Sequence, residues 1–387
     1  MSQALAGLNV LDLTMNLPGP YMTWLLAAMG AEVVKVENPT GGDYARMHGW
    51  SQDSPFFAAV NRNKKSLALD LKHPEGQRLF LKLADTYDVL VEGFRPGTME
   101  RLGLSFDSIS LRNPRLIYVS ITGYGHNSPY RLQAGHDVNY LSLAGIIGMT
   151  GTREGDLAIP GVQIADLAGG SLMALSGLLA AIIQRERTGR GQFVDVAMFD
   201  GALSLATMLF GGVQAGLERP EAGKMFLNGR FPCYGLYKTR DGKYMSLGAL
   251  ESKFWENFCI AVNRKDLVGE QFGGEDIVAE VQRIFASRSR DEWVNLLRDS
   301  DGCCEPVLSL TEAVESPLAE ARNMVTRSPD GGRFLASPIK LSDSPAKDDQ
   351  PAPDLGQDTR EILSKLGLSD EDLASLVEQR VIGTMKL

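Results

Sequence analysis

Histidine is scarce in this chain, with four in 387 residues. His48, His73, His126 and His136 stand in unrelated contexts, and no Cys/His spacing of the zinc type occurs, so a metal site is not expected. Cysteine is equally sparse. Cys233, Cys259, Cys303 and Cys304 form no Cys-x-x-Cys pair, and neighbouring cysteines rarely bond each other. Four free thiols and a cytoplasmic location are the expectation. Positive charge is short: 39 Lys+Arg against 48 Asp+Glu give a net charge of -9. That balance argues against nucleic acid as a partner but leaves room for a local basic patch. The first ten residues have no basic stretch and no long apolar run, so no signal peptide is expected there. The most apolar stretch, 172–183, is shorter than the ~20 residues that span a bilayer. Arg185, Arg187 and Arg190 follow it, which suits a buried helix with cations at its C-terminal end. The final Met385-Lys386-Leu387 is not the Ser-Lys-Leu peroxisomal address. The turn after the first strand lacks Gly-x-Gly-x-x-Gly, so a dinucleotide cofactor is not indicated.

What is present is an ordinary globular composition, 44% hydrophobic and 22% charged, at a length that suggests two domains. The opening reads strand (8–13), break at Pro18-Gly19-Pro20, helix (21–29) ended by Gly30, and strand (31–37). That is a βαβ unit of the doubly wound kind. Strands at 66–71, 89–92, 116–121 and 194–196 alternate with helices at 74–84, 167–184 and 198–211. A polar, Gly-rich stretch, 213–229, reads as a linker that closes a large α/β domain spanning 1–212. A smaller α+β domain, 230–327, begins with a hairpin around Arg240-Asp241-Gly242, because Asp-Gly between alternating runs favours a tight turn. A second linker rich in Pro, Ser and Asp covers 328–353. The tail, 354–387, is helical, with a capping box at Ser369 to Asp372, and returns to the large domain. No internal repeat is seen.

Two residues carry chemistry. His136 lies in Gly135-His136-Asp137-Val138-Asn139-Tyr140, and Asp166 opens a long apolar run. Imidazole and carboxylate are the side chains most used to move protons near neutral pH. Flanking one carbon, they would remove a proton from one face and return one to the other. Acting alone, Asp166 would be a nucleophile. The plainer readings are an N-cap for Asp166, a loop or core residue for His136, and a solvated helix-start acid for Glu251. Arg62, Lys64 and Lys65 form a basic cluster that either meets phosphates or is a solvated turn. Arg95 lies just past a strand end, where α/β ligands bind.

Five stretches together resemble the class III CoA-transferase superfamily, which also contains the α-methylacyl-CoA racemases. They are Gly30-Ala31-Glu32-Val33-Val34-Lys35-Val36-Glu37, Asn61-Arg62-Asn63-Lys64-Lys65-Ser66, Glu92-Gly93-Phe94-Arg95-Pro96-Gly97, Arg187-Thr188-Gly189-Arg190-Gly191-Gln192 and Ser337-Pro338-Ile339-Lys340. The resemblance implies a Rossmann-like large domain holding both termini, a small α+β domain in the middle, and two subunits interlocked like linked rings. Within the superfamily, His136 stands where transferases usually carry tyrosine. Gly248-Ala249-Leu250-Glu251 is similar to the racemase pattern. Asp166 matches the catalytic aspartate of both branches.

The resemblance therefore implies epimerisation of 2-methylacyl-CoA thioesters, an isomerase of lipid metabolism with no cofactor beyond the CoA of its substrate. His136 would serve one face of the α-carbon and Asp166 the other, while Glu251 orients the imidazole. Backbone N–H groups near Gly169 and Gly170 are expected to hold the enolate oxygen, the glycines letting the thioester approach. The CoA nucleotide is expected among Glu37, Asn38, Arg62, Lys64, Ala68, Leu69, Asp70, Leu71 and Arg95, with Asn38 where some racemases carry arginine. Gly135, Asp137 and Tyr140 would line the thioester region. The alternative is a CoA-transferase in which Asp166 attacks the acyl-CoA and His136 has no required role. A third reading is a non-catalytic acyl-CoA-binding scaffold.

Overall fold

The computed structural model describes residues 3–47, 54–327 and 331–383. His48, the first residues of the stretch expected as a linker from Ser328, and the Met385-Lys386-Leu387 terminus lie outside the described residues. The chain divides into two compact units.

The first unit comprises 1–144, 162–205 and 317–387. It is built on six parallel strands: β1 (Asn9–Asp12), β2 (Glu32–Glu37), β3 (Lys65–Ala68), β4 (Val89–Glu92), β5 (Ile117–Thr122) and β6 (Phe193–Ala197). Their order is β3-β2-β1-β4-β5-β6. This is the doubly wound arrangement, in which the strand order reverses between β1 and β4 and opens a crevice at the carboxyl ends. Both faces are covered, so β4 and β5 are buried at every position, as parallel strands require. Leu11, Val34, Leu67, Leu90 and Tyr118 of the sheet share one apolar core with Leu79, Phe80 and the tail residues Ile362, Leu363, Leu373 and Leu376.

Pro18-Gly19-Pro20, expected to break the chain, instead opens the helix Pro18–Ala28. Proline suits the first turn, where its missing N–H has no partner to lose. Gly30 ends the helix at φ +103°. The apolar helix is longer than its most hydrophobic stretch suggested. The run Ala165–Thr188 has 24 residues and is long and apolar enough to cross a membrane by length and composition alone. It packs against β5 and β6, and its buried Arg185 donates from Nη1 to Asp88 Oδ1 at 3.0 Å, as in a core helix. The expected helix 198–211 is two helices, Met198–Ser204 and Thr207–Gln214.

The Pro/Ser/Asp-rich stretch 328–353 is a strap rather than a free linker. A two-stranded pair, β10 (Val325–Arg327) with β11 (Arg333–Leu335), leads into it. Asp348 binds Arg62, the Lys347 N–H donates to the Ala28 carbonyl at 2.9 Å, and Gln350 pairs with Asn63. Such composition marks irregular backbone, not an absence of contacts. The tail forms two helices, Thr359–Lys365 and Asp370–Glu378, the latter with its Ser369/Asp372 capping box.

The second unit comprises 145–161 and 206–316. Its borders differ from 230–327 because the stretch 213–229 folds within it. β7 (Tyr234–Lys238) and β8 (Tyr244–Gly248) form the hairpin, and β9 (Cys304–Pro306) adds a third antiparallel strand. Trp255, Phe258, Phe285 and Trp293 fill its core.

Candidate active site

At the reversal of strand order lies a cavity of about 400 Å³. Its walls are the residues just past four strand ends: Leu13 and Thr14 after β1, Glu37 and Asn38 at β2, Leu69, Asp70 and Leu71 after β3, and Phe94 after β4. Five of the expected nucleotide residues therefore meet in one place. Lys72 and Arg101 also line it, and the sequence reading missed both. Arg101 is exposed and donates to Thr98 Oγ1 at 2.9 Å. Its signal was available, since it lies one helical turn past the Arg95-Pro96-Gly97 turn.

The basic cluster does something different from what the sequence suggested. Arg62 is 2% exposed. Its guanidinium grips Asp348 (Nε to Oδ1, 2.9 Å) and the carbonyls of Ala59 and Leu335, each at 2.8 Å, between the rings of Trp24 and Phe334. Lys64 is fully buried and spends its three protons on Asp12 (3.1 Å), Asn61 (2.8 Å) and the Pro20 carbonyl (3.1 Å). Burial pulls the Lys64 ammonium down to about 8, against the attraction of Asp12. Neither cation is free for a phosphate. Glu37 is likewise committed, to Arg46 at 2.7 and 2.8 Å and Ser66 at 2.7 Å. Ala68 is buried against Gly356 and Gly383 and is absent from the cavity wall. Arg62, Lys64 and Ala68 line neither cavity, and Glu37 reaches the wall of the first with its carboxylate already paired.

A second cavity, of about 390 Å³, opens along the same edge. Phe94 belongs to both cavities. Arg95, Arg131, Gly135, His136, Asn139 and Tyr140 line the second, and among the described residues its wall contains no carboxylate. Arg131 was not foreseen, because nothing local in the sequence marks it. His136 caps the helix Asp137–Leu143, its N–H donating to Asn139 Oδ1 at 3.0 Å while its side chain stays exposed. Tyr140 donates to the Gly135 carbonyl at 2.6 Å, and its ring occupies the space a Cβ on Gly123 or Gly135 would need. Burial, then Asp166, push its phenol well above the ordinary value.

Asp137, expected in the thioester region, lines neither cavity. It is 8% exposed, and its Oδ1 accepts the backbone N–H of Asp166 at 3.0 Å. That bond ties the residue after His136 directly to Asp166. Asp166 is not an N-cap: it lies in the first turn of a π-helical segment, Ala165–Leu172, that leads into Met173–Thr188. Such wide turns are uncommon and cluster at functional sites. Burial, with Asp137 adding like charge, raises its carboxyl to about 7. It can thus both give and take a proton near neutrality.

The backbone donors expected at 167–170 are not free. Leu167 N–H goes to the Gln163 carbonyl at 3.0 Å, and Gly169 and Gly170 lie inside the π turns. Both glycines serve packing. A Cβ on Gly169 would stand 2.8 Å from the Ala202 nitrogen and the Met198 oxygen, and one on Gly170 2.9 Å from Met198 Cγ. Glu251 belongs to the second unit, exposed at the start of the helix Ser252–Ala261. Among the described residues, no group of three or more His, Cys, Asp or Glu could hold a metal ion.

The profile of CoA-transferase family III matches residues 5–359. The chain is 32% identical to the alpha-methylacyl-CoA racemase of Homo sapiens, over 99% of each protein. It is 34% identical to a formyl-CoA:oxalate CoA-transferase of Rhodopseudomonas palustris, over 97% of this chain and 96% of that one. Among solved structures, a CAIB/BAIF family protein from Brucella suis superposes with a TM-score of 0.83 at 28% identity, covering 95% of this chain and all of the other.

Proposed function

The chain belongs to CoA-transferase family III, and from that premise we propose that it epimerises 2-methylacyl-CoA thioesters by 1,1-proton transfer. The observation that carries this reading is the Asp166 carboxyl, held near 7 and bonded through its backbone to the residue next to His136. The thioester acidifies its α-carbon only weakly, so a positioned base and a positioned acid are both needed. His136 takes the α-proton of one epimer, and protonated Asp166 returns a proton to the opposite face. The roles reverse for the other epimer. The nucleotide of CoA occupies the first cavity, its phosphates meeting Lys72 and Arg101, and the thioester passes Phe94 and Arg95 to meet His136 in the wall of the second cavity, with Asp166, which lies outside that wall, on its opposite face. No cofactor is needed beyond the CoA of the substrate.

The working form is a homodimer with interlocked subunits in the cytoplasm, acting in lipid metabolism. In support of a partner copy, Leu172, Met173 and Ile183 are 39–56% exposed along the helical run 165–188. Sedimentation as a monomer would overturn that part.

A transferase reading is favoured by the 34% identity to a CoA-transferase. In it, ionised Asp166 attacks the acyl-CoA to give a mixed anhydride and then an aspartyl-CoA thioester. One experiment decides. Either epimer of a 2-methylacyl-CoA is incubated in heavy water, and α-deuteration and epimerisation are followed. Exchange with the thioester intact supports the racemase. CoA movement to a free acid, with an Asp166 adduct trapped by hydroxylamine and no exchange, supports the transferase. Acyl-CoA binding with neither outcome leaves a scaffold. A His136→Ala variant with full epimerase activity sinks the assignment.

A further inference from the structure

The proton-transfer scheme leaves one buried acid unused. Glu92 ends β4 at 2% exposure, and among the described residues no Lys or Arg pairs with it. Its Oε2 accepts the backbone N–H of Phe94 at 2.8 Å. Ser120 stands beside Glu92 in the β4–β5 register, its hydroxyl placed to bond the same carboxyl, and Ser120 Oγ lies 2.8 Å from His126 Nε2. His126 is anchored in turn: its backbone N–H reaches Asp195 Oδ2 at 3.2 Å, and its ring stands edge-on to Phe193 at 5.1 Å. The chain of bonds therefore runs from the turn that lines both cavities, across β4 and β5, to a half-buried imidazole.

The proton count of this chain is constrained. Ser120 has one hydroxyl proton and two partners. When Glu92 is ionised, Ser120 donates to it and must accept from His126 Nε2–H. When Glu92 carries a proton, it donates to Ser120, which then donates to a bare Nε2. One proton at Glu92 thus sets the tautomer of His126. We propose that Glu92 is a proton-carrying positioning residue: it holds the Gly93–Pro96 turn against both cavities, and gaining a proton reverses the hydrogen bonds through Ser120 to His126.

Burial without a cation makes the ionised form costly, and burial lifts the carboxyl to about 7. The Ser120 and Phe94 bonds pull it down, and Glu100 and Asp195 push it up. Burial, then Glu92, raise the Tyr118 phenol on β5. An anion entering beside the turn favours protonated Glu92, and by linkage the proton favours the anion.

The test has two readouts, and only the second rests on the acyl-CoA reading, in using CoA as its probe. In ¹⁵N-histidine-labelled protein at pH 8.5, His126 Nε2 is expected to show a protonated, pyrrole-type shift. Glu92→Gln, whose amide donates to Ser120 as the carboxylic acid does, is expected to show a bare, pyridine-type Nε2. Ser120→Ala, which cuts the chain, removes any dependence of that shift on residue 92. The same Nε2 signature in wild type and Glu92→Gln overturns the proposal; should Glu92→Gln not fold, an Nε2 signature unchanged by Ser120→Ala does so. Second, free CoA is titrated calorimetrically in an Asp166→Asn background, which removes the other carboxyl near 7. The dissociation constant is expected to rise about 3- to 10-fold from pH 6.5 to 8.5 and to stay flat when Glu92→Gln is added. An equal rise in both overturns the linkage. Absence of CoA binding at any pH refutes the acyl-CoA reading instead, and the ¹⁵N result still decides Glu92.

Discussion

Asp137 Oδ1 accepts the backbone N–H of Asp166 at 3.0 Å, so an acid next to His136 both positions the second acid and charges its surroundings. Asp137→Asn keeps an acceptor there but removes the like charge that helps raise Asp166. Asp166 then stays above the ordinary carboxyl range through burial alone, at a lower value than in wild type. The protonated fraction at pH 8 falls, and epimerisation from the side that needs Asp166 as acid slows roughly threefold, with the pH–rate midpoint moved down. Asp137→Ala also strands a buried N–H and lowers stability by about 1–3 kcal/mol. A pH profile unchanged in Asp137→Asn would show that the charge does not reach Asp166.

Arg62 and Arg101 separate structure from binding. Arg62→Ala leaves buried Asp348 unpaired and is expected to cost about 3–5 kcal/mol of stability, read as a fall in Tm, with CoA affinity of the folded protein unchanged. Arg101→Ala removes an exposed cation from the first cavity. It is expected to weaken free CoA about 10-fold, less at high salt, without moving Tm. The reverse pattern would return the phosphates to the Arg62 cluster.

Gly169 tests the π turn. Gly169→Ala sets a Cβ against backbone atoms of Met198 and Ala202 at 2.8 Å, which cannot rotate away. A loss of about 1–3 kcal/mol is expected, with a drop in activity as the Asp166 turn shifts. Gly211→Ala, also helical, meets nothing within 4 Å and is expected to stabilise by up to about 1 kcal/mol. Equal denaturation midpoints for the two variants would refute the packing role.

The sequence carried the sheet well because its signals are local: continuous apolar strands, Gly30 at a helix end, Asp-Gly in a hairpin. It carried His136 and Asp166 only as residue types in matching motifs. The basic cluster misled because the partners that neutralise it, Asp12 for Lys64 and Asp348 for Arg62, are 52 and 286 residues away. The π turn was hidden because an apolar run reads the same whether its hydrogen bonds close after four residues or five. Glycines beside Asp166 suggested room for a ligand, yet that room is filled by the helix Met198–Ser204. Lys72, Arg101 and Arg131 acquire meaning only from the loops that meet them.

The Glu92 carboxyl also leaves a mark on stability. Its value rises from 4.5 to about 7 in the fold, so between these pH values the folded protein holds a proton that the unfolded chain has lost. Stability contributed by the neutral form is fully present below about 4.5 and is lost as pH rises through about 7. The size is on the order of 3 kcal/mol for a shift of this extent. Glu92→Gln cannot ionise and keeps the Phe94 and Ser120 bonds, so its advantage over wild type should grow from pH 4.5 to 7 and level off above. Urea midpoints at pH 5, 6, 7 and 8, compared within the Asp166→Asn background to remove the other carboxyl raised to about 7, measure this directly. A difference between the two proteins that is constant across that range would mean that Glu92 is ionised throughout.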